Sequence, residues 1–170
     1  MKLVGALLLV ISCTLIGVGK ARNLYYRQSC LEAALDALRF MDAELKNGSV
    51  PIPEIFRELY KLPNSKLHSL YSELNDKMAS LGEESLADIW NSSILNNTSI
   101  SLSMKQRREL GRVGTYLGRY SESEQSEAIS ACISHMEDEL KRTSEKAREG
   151  GKLYTSLGLT FGLMLAAVLI

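Results

Sequence analysis

From Leu3 to Gly19, and again from Leu153 to Ile170, the chain carries no Asp, Glu, Lys or Arg, so both of its ends are uncharged and apolar. Each stretch holds about 17 or 18 residues. As a helix rising 1.5 Å per residue it reaches roughly 26 Å, slightly short of the typical hydrocarbon core but within the usual range. Two short transmembrane helices are therefore expected, at 1–20 and 152–170, with residues 21–151 forming the domain between them.

The N-terminal stretch has two rival readings. "VISC", Val10 to Cys13, fits the loose pattern of a bacterial lipoprotein cleavage site, and Lys2 followed by an apolar run can open a cleaved signal peptide. Against both, the apolar run continues past Cys13 through "TLIGVG" and no small-x-small site closes it, so a retained anchor is expected. Basic residues set the orientation. Lys20, Arg22 and Arg27 follow the first helix with no acid before Glu32, and Lys141, Arg142, Lys146, Arg148 and Lys152 lead into the second. The positive-inside bias then gives a multi-pass protein of the cell membrane with its bulk in the cytoplasm and both termini outside.

Global charge advertises no partner: 20 basic and 20 acidic residues cancel, and nothing favours nucleic acid. At 170 residues the chain has room for one domain of ordinary size. Cys13, Cys30 and Cys132 form no spaced set and lack CxxC spacing, which argues against zinc and for small apolar residues in a reducing compartment. The Asn-x-Ser/Thr matches at Asn47, Asn91, Asn96 and Asn97 carry no meaning on a cytoplasmic domain.

The middle of the chain reads as all-α. From Leu31, apolar residues recur at Leu35, Leu38, Met41 and Leu45, a helical stripe that stops at "NGSVPIP". Pro53 is placed as a first helical residue, and the short helix it opens is cut by Pro63. A run from Ser65 to Leu81 ends at Gly82, and Ser85 with Asp88 forms a capping box for a segment holding Trp90. A second box, Ser121 with Glu124, starts the longest helix. There Ile129, Ile133, Met136, Leu140, Thr143 and Ala147 follow steps of four and three. Gly150 and Gly151 mark its junction with the membrane, as a hinge or a fray point.

"LGRVGTYLGRYSESEQ", residues 110–125, poses the main question, because three glycines in nine residues can either cradle a phosphate or admit a neighbouring helix. A Walker-type loop follows a strand and places Lys and Ser or Thr after its last glycine. Here Arg119 and Tyr120 follow Gly118, and a helical stripe through Leu110, Val113 and Leu117 precedes it. Gly111, Gly114 and Gly118 share one side of a helix at a cost of about 1 kcal/mol each relative to Ala, and close packing supplies the compensating reason. Gly118 also serves as the helix terminator.

Four segments together resemble the stage III sporulation protein AB family of endospore-forming bacteria, and through it the F-type platform proteins of type II secretion and type IV pilus systems. They are "LRFMDAELKNGSVPIPEI" (38–55), Trp90 after a capped helix, "GTYLGRYSESEQ" (114–125) and "KLYTSLGLTFGL" (152–163). Each is weak alone; their order and spacing between two membrane ends cover nearly the whole chain. Where the family tends to have Asp opening the long helix this chain has Ser121, which caps equally well.

The resemblance implies a cytoplasmic six-helix bundle between two transmembrane helices. It implies a platform component of the sporulation channel between mother cell and forespore, held in the mother-cell membrane and coupled to a cytoplasmic secretion-type ATPase. The implied partners are that ATPase, other membrane components of the channel and membrane lipids, with an oligomeric place in the assembly. Candidate packing or partner-interaction positions are Glu44, Gly48, Pro51, Trp90, Gly114, Gly118 and Gln125. Glu44 is open between a partner contact and a cap for the neighbouring turn. Gly150 and Gly151 are the candidate hinge.

No catalytic, cofactor or metal residue is assigned, and no enzyme activity is expected. His68 and His135 stand outside any His-Glu-x-x-His pattern, Asp42 and Glu44 point to different sides of their helix, and no Ser, Cys or Lys lies in a recognisable nucleophile motif. A rival reading is a helical membrane sensor or receptor whose domain lies outside the cytoplasm, which predicts the opposite topology and no ATPase partner.

Overall fold

A computed structural model describes residues 2–47, 50–62, 65–80 and 82–169. Six α-helices follow one another: α1 (Lys2–Lys46), α2 (Ile52–Tyr60), α3 (His68–Lys77), α4 (Leu86–Asn96), α5 (Met104–Gly114) and α6 (Glu122–Leu169), with a short 3₁₀ turn at Met78–Ser80. No β-strand occurs among the described residues, and the chain is all-α. It divides into two compact units, one of Met1–Gln28 with Lys141–Ile170 and one of Ser29–Leu140.

The apolar ends are not separate helices. They are the first part of α1 and the last part of α6, which run for 45 and 48 residues. No proline falls between residues 19 and 31 or between 141 and 153 to remove a hydrogen bond. Gly150 and Gly151, the expected hinge, lie in unbroken helical backbone. Two glycines at about 1 kcal/mol each do not break a helix that packing supports.

The first unit is an antiparallel helix hairpin with a seam of small residues. A Cβ added to Gly17 would lie 2.5 Å from the Tyr154 carbonyl oxygen, and one on Gly158 would lie 2.8 Å from the Cys13 carbonyl oxygen. One on Gly162 would lie 3.0 Å from the Val10 Cα. Backbone therefore meets backbone, the close approach by which helices associate in lipid, where burying Leu against Leu gains nothing.

Outside the seam, Leu7, Leu15, Ile16, Leu157, Phe161 and Val168 are exposed. Only 11% and 17% of the most apolar windows of the two helices is buried, which sets them apart from the core helices of a water-soluble fold. Thr14, Thr155 and Thr160 donate their hydroxyls to Val10, Gly151 and Ser156 carbonyls within their own helices, so these polar groups need no water. The hairpin thus comprises two candidate membrane-spanning helices.

Glycines along this seam are expected to differ sharply in tolerance. At Gly158 the obstacle is backbone. At Gly150 it is the movable Leu24 Cδ1, 2.8 Å from a built Cβ. Gly158→Ala should lower the thermal midpoint in detergent, whereas Gly150→Ala should be neutral or raise it, because Ala favours the helix by about 1 kcal/mol. Thermal denaturation followed by circular dichroism distinguishes the two, and equal midpoints would contradict a backbone-on-backbone seam.

The second unit is a bundle around one apolar core. On α1, Leu31, Leu35, Leu38, Met41 and Leu45 are all buried, the stripe expected from their spacing. Ile55, Phe56 and Leu59 of α2, Leu70, Tyr71 and Leu74 of α3, and Ile129 and Met136 of α6 join them. Burial of each such side chain contributes about 1.5–3 kcal/mol, which fixes α1 and α6 as the long walls of the bundle.

Polar ties set the register. Asp42 on α1 accepts from the Ser126 hydroxyl at 2.5 Å and from Lys46 at 2.6 Å, and Arg39 donates to Glu137 at 2.7 Å. Glu73 on α3 accepts from Lys77 and from Asn97, the residue that ends α4. Burial pushes its carboxyl up, but those hydrogen bonds outweigh it and hold it below the usual carboxylate range.

Local boundaries differ from expectation where side chains compete with the helix ladder. Pro51 is the N-cap of α2, which places Pro53 one residue inside the helix. The run from Ser65 is helical only from His68, since the Ser65 hydroxyl accepts from the Leu67 N–H and makes a turn first. Pro63 lies outside the described residues. Before α5 stands a capping box that sequence reading passed over: Ser103 accepts from Gln106 N–H while the Gln106 side chain accepts from Ser103 N–H.

Candidate functional site

The flagged glycines answer to particular neighbours. Trp90 projects from α4, whose first turn is capped by the Ser85 hydroxyl accepting from Asp88 N–H. Asp88 does not complete the box, because its carboxylate accepts from the Ser85 hydroxyl instead of the N–H. The Trp90 ring stacks on Phe56 of α2 with centroids 5.4 Å apart, and its Nε1–H donates to the Leu110 carbonyl at 2.7 Å. A Cβ on Gly114 would lie 2.9 Å from Trp90 Cγ, and one on Gly111 would lie 2.6 Å from Asn91 Oδ1. These two glycines let α5 lie against α4 with the indole between, and no phosphate site is formed.

Gly118 ends the turn that follows α5 with φ of +72°, a left-handed conformation that costs a non-glycine residue about 1 kcal/mol or more. Gln125 braces this turn: its Oε1 accepts from Gly118 N–H at 3.1 Å and its Nε2 donates to the Tyr120 carbonyl at 2.7 Å. Beside it, Ser121 and Glu124 form a complete box, with Glu124 accepting from Ser121 N–H and Ser121 accepting from Glu124 N–H. Hydrogen bonds from Ser121 hold the Glu124 carboxyl below its ordinary range.

The braced turn forms one wall of a groove of about 420 Å³. Ile52 and Pro53 of α2, Glu84, Ser85 and Leu86 before and at the start of α4, and Leu117, Gly118 and Arg119 line it. Three sequence motifs far apart in the chain thus meet at one end of the bundle: the Pro-Ile-Pro start, the cap of the Trp90 helix and the glycine turn. Carboxylates dominate the two adjoining segments, with Glu83 and Glu84 on one and Glu122 and Glu124 on the other.

The remaining flagged residues are placed less centrally. Pro51 is exposed at the cap of α2. Glu44 is half-buried on α1 with no ion-pair partner among the described residues. Gly48 lies outside the described residues. Gly150 and Gly151 belong to the hairpin unit and take no part in this end of the bundle.

Arg107 is the residue sequence reading missed. Its side chain is buried, and its guanidinium donates to the carbonyls of Leu102 at 3.1 Å, Ile94 at 2.8 Å, Asn97 at 2.6 Å and Ile100 at 2.7 Å. It therefore satisfies the end of α4 and three carbonyls of the α4–α5 loop, work that helix C-termini need from some donor. Desolvation lowers its pKa from the ordinary value, and an arginine so shifted remains a cation. A basic residue opening an apolar stripe in "KQRRELGRV" was the available signal, but nothing there says which of three arginines turns inward.

Burial, with help from Glu109, pushes the Cys132 thiol up to about 12. His68 stacks on Tyr60 at 5.2 Å, and His135 stands 3.8 Å from Glu109. Among the described residues no three His, Cys, Asp or Glu side chains gather to hold a metal ion.

The family described as Stage III sporulation protein AB (spore_III_AB) matches residues 2–170. Stage III sporulation protein AB of Bacillus subtilis (strain 168) is 24% identical over 170 residues, a match covering 99% of each chain. No solved structure matches.

Proposed function

We propose that this chain, which belongs to the stage III sporulation protein AB family, is a platform component of a sporulation channel. In this reading the hairpin unit holds it in the mother-cell membrane, and the bundle, in the cytoplasm, docks a secretion-type ATPase that supplies the work. The observation that carries the reading is the groove between α2, the start of α4 and the braced Gly118 turn. It is an open surface built from rigid, capped elements and flanked by carboxylates, as a docking site for a partner requires, with no catalytic constellation beside it. Basic residues beside both apolar segments support the cytoplasmic orientation.

Two arms test this. Ser123, exposed in the first turn of α6, is the site for a reporter cysteine. In a variant lacking native cysteines, Ser123→Cys should react with a membrane-impermeant maleimide only after cells are permeabilised. Reaction in intact cells would favour the extracytoplasmic sensor. With that established, Glu84→Lys combined with Glu122→Lys should weaken co-purification of the cognate ATPase at least about tenfold, the cost of losing two charge contacts at an interface. Unchanged recovery would exclude this end of the bundle as the dock.

A further inference from the structure

Neutral as a whole, the chain is strongly divided: the hairpin unit holds nine basic and two acidic residues, the bundle unit eleven basic and eighteen acidic. Six of the nine, Lys20, Arg22 and Arg27 of α1 and Lys146, Arg148 and Lys152 of α6, are exposed, and none has an ion-pair partner among the described residues. They lie at one level of the hairpin, since Leu24 faces Gly150 and Tyr25 faces Gly151 across the seam. On each helix the three basic residues span roughly 10 Å along the axis, a little more than the Debye length of about 8 Å at physiological ionic strength. Glu145 and Glu149 are the two carboxylates among them, so the collar keeps a clear positive excess.

We infer that this collar is a binding site for anionic phospholipid headgroups. The apolar segment next to it is exposed on all sides except the small-residue seam, which puts the collar at the height of the headgroups if that segment spans the bilayer. Tyr25, Tyr26 and Tyr154 stand at the same level, the usual place for rings that straddle water and hydrocarbon. Tyr25, Gln28, Ser144, Glu145 and Arg148 also line a cavity of about 420 Å³ in the collar. There Arg148 can pair with a phosphate while the Tyr25 and Ser144 hydroxyls donate to its oxygens, and Glu145 can accept from a headgroup hydroxyl. A zwitterionic choline headgroup offers the phosphate but no net charge to the collar and no hydroxyl to Glu145. Phosphatidylglycerol offers all three.

The inference rests on the reading that the apolar ends span a membrane, and its test separates the two. Full-length protein in a neutral detergent would be given equal amounts of phosphatidylglycerol and phosphatidylcholine with identical acyl chains, and bound lipids counted by native mass spectrometry. Phosphatidylglycerol should exceed phosphatidylcholine at least about tenfold. Two variants on exposed positions, Arg22→Gln with Arg27→Gln and Arg148→Gln with Lys152→Gln, should each cut that preference at least about fivefold, the contribution of a single cation at an anionic surface. Equal occupancy by the two lipids, or an unchanged preference in both variants, overturns the proposal. Release of the protein from membranes by alkaline carbonate would overturn the membrane reading with it. Retention in the membrane with equal occupancy would overturn the lipid site alone.

Discussion

Replacing Arg107 with Met is expected to lower the unfolding free energy by about 3–5 kcal/mol, among the largest effects of any single substitution in the bundle. Met preserves the apolar stem and removes every donor, leaving the carbonyls of Ile94, Asn97, Ile100 and Leu102 without the group they share. Each buried carbonyl left unpaired costs about 1–3 kcal/mol, and the sum is capped because the α4–α5 loop can move towards water. The thermal midpoint of the purified protein should fall by roughly 10 °C. Arg107→Lys should recover less than half of the loss, since one ammonium cannot reach carbonyls arranged around a planar fork. A lysine variant as stable as the parent would show that charge alone matters and would contradict the clamp.

The second large effect concerns Trp90 and Gly114. Gly114→Ala should destabilise by about 1–3 kcal/mol even though Ala is the better helix former, because its Cβ would enter the indole, 2.9 Å from Cγ and 3.1 Å from Cβ of Trp90. Trp90→Ala should cost about 3–5 kcal/mol through the lost ring contact with Phe56 and the lost donor to Leu110. Combined, the two should not add: once the indole is gone the alanine methyl has space, and Gly114→Ala should become neutral or favourable. A double-mutant cycle by chemical denaturation measures this, with a coupling of about 0.5–3 kcal/mol expected. Strict additivity would mean that Gly114 is glycine for another reason. Since Trp90 is the only tryptophan, its emission in Gly114→Ala also reports directly whether the indole has been displaced.

Both substitutions concern the α4–α5 pair, and they show how differently two kinds of information sit in a sequence. Gly111 and Gly114 were legible as packing positions, because glycines at helical spacing carry a cost that demands a reason, whereas Gly118 lies beyond the end of α5 in a left-handed turn and not on the same helix face. What they packed against was not legible. Gly114 needs Trp90 and Gly111 needs Asn91, 24 and 20 residues earlier in the chain, and no local pattern names those partners. The stripe on α1 and the cap at Ser121 were likewise local matters. Gln125 was flagged through a family-like motif, yet its work as a brace on Gly118 and Tyr120 emerged only from the folded turn.

The apolar ends illustrate the same division. Length, apolarity and the missing charges were enough to expect two spans, because each is a sum over neighbouring residues that does not depend on where the rest of the chain goes. What surrounds Gly150 and Gly151 was not legible in the same way. Glycine in a helix means either freedom or closeness, and only the position of Leu24 and Tyr25 decides between them. The sequence by itself determined the all-helical class, the two apolar ends and the family. Tertiary structure alone decided that α1 and α6 are single long helices, that Arg107 of the three neighbouring arginines turns inward, and that distant motifs meet in one groove. Periodicity and charge are properties of a segment; burial, a shared donor and a close approach are properties of a pair, and the pair exists only once the chain has folded.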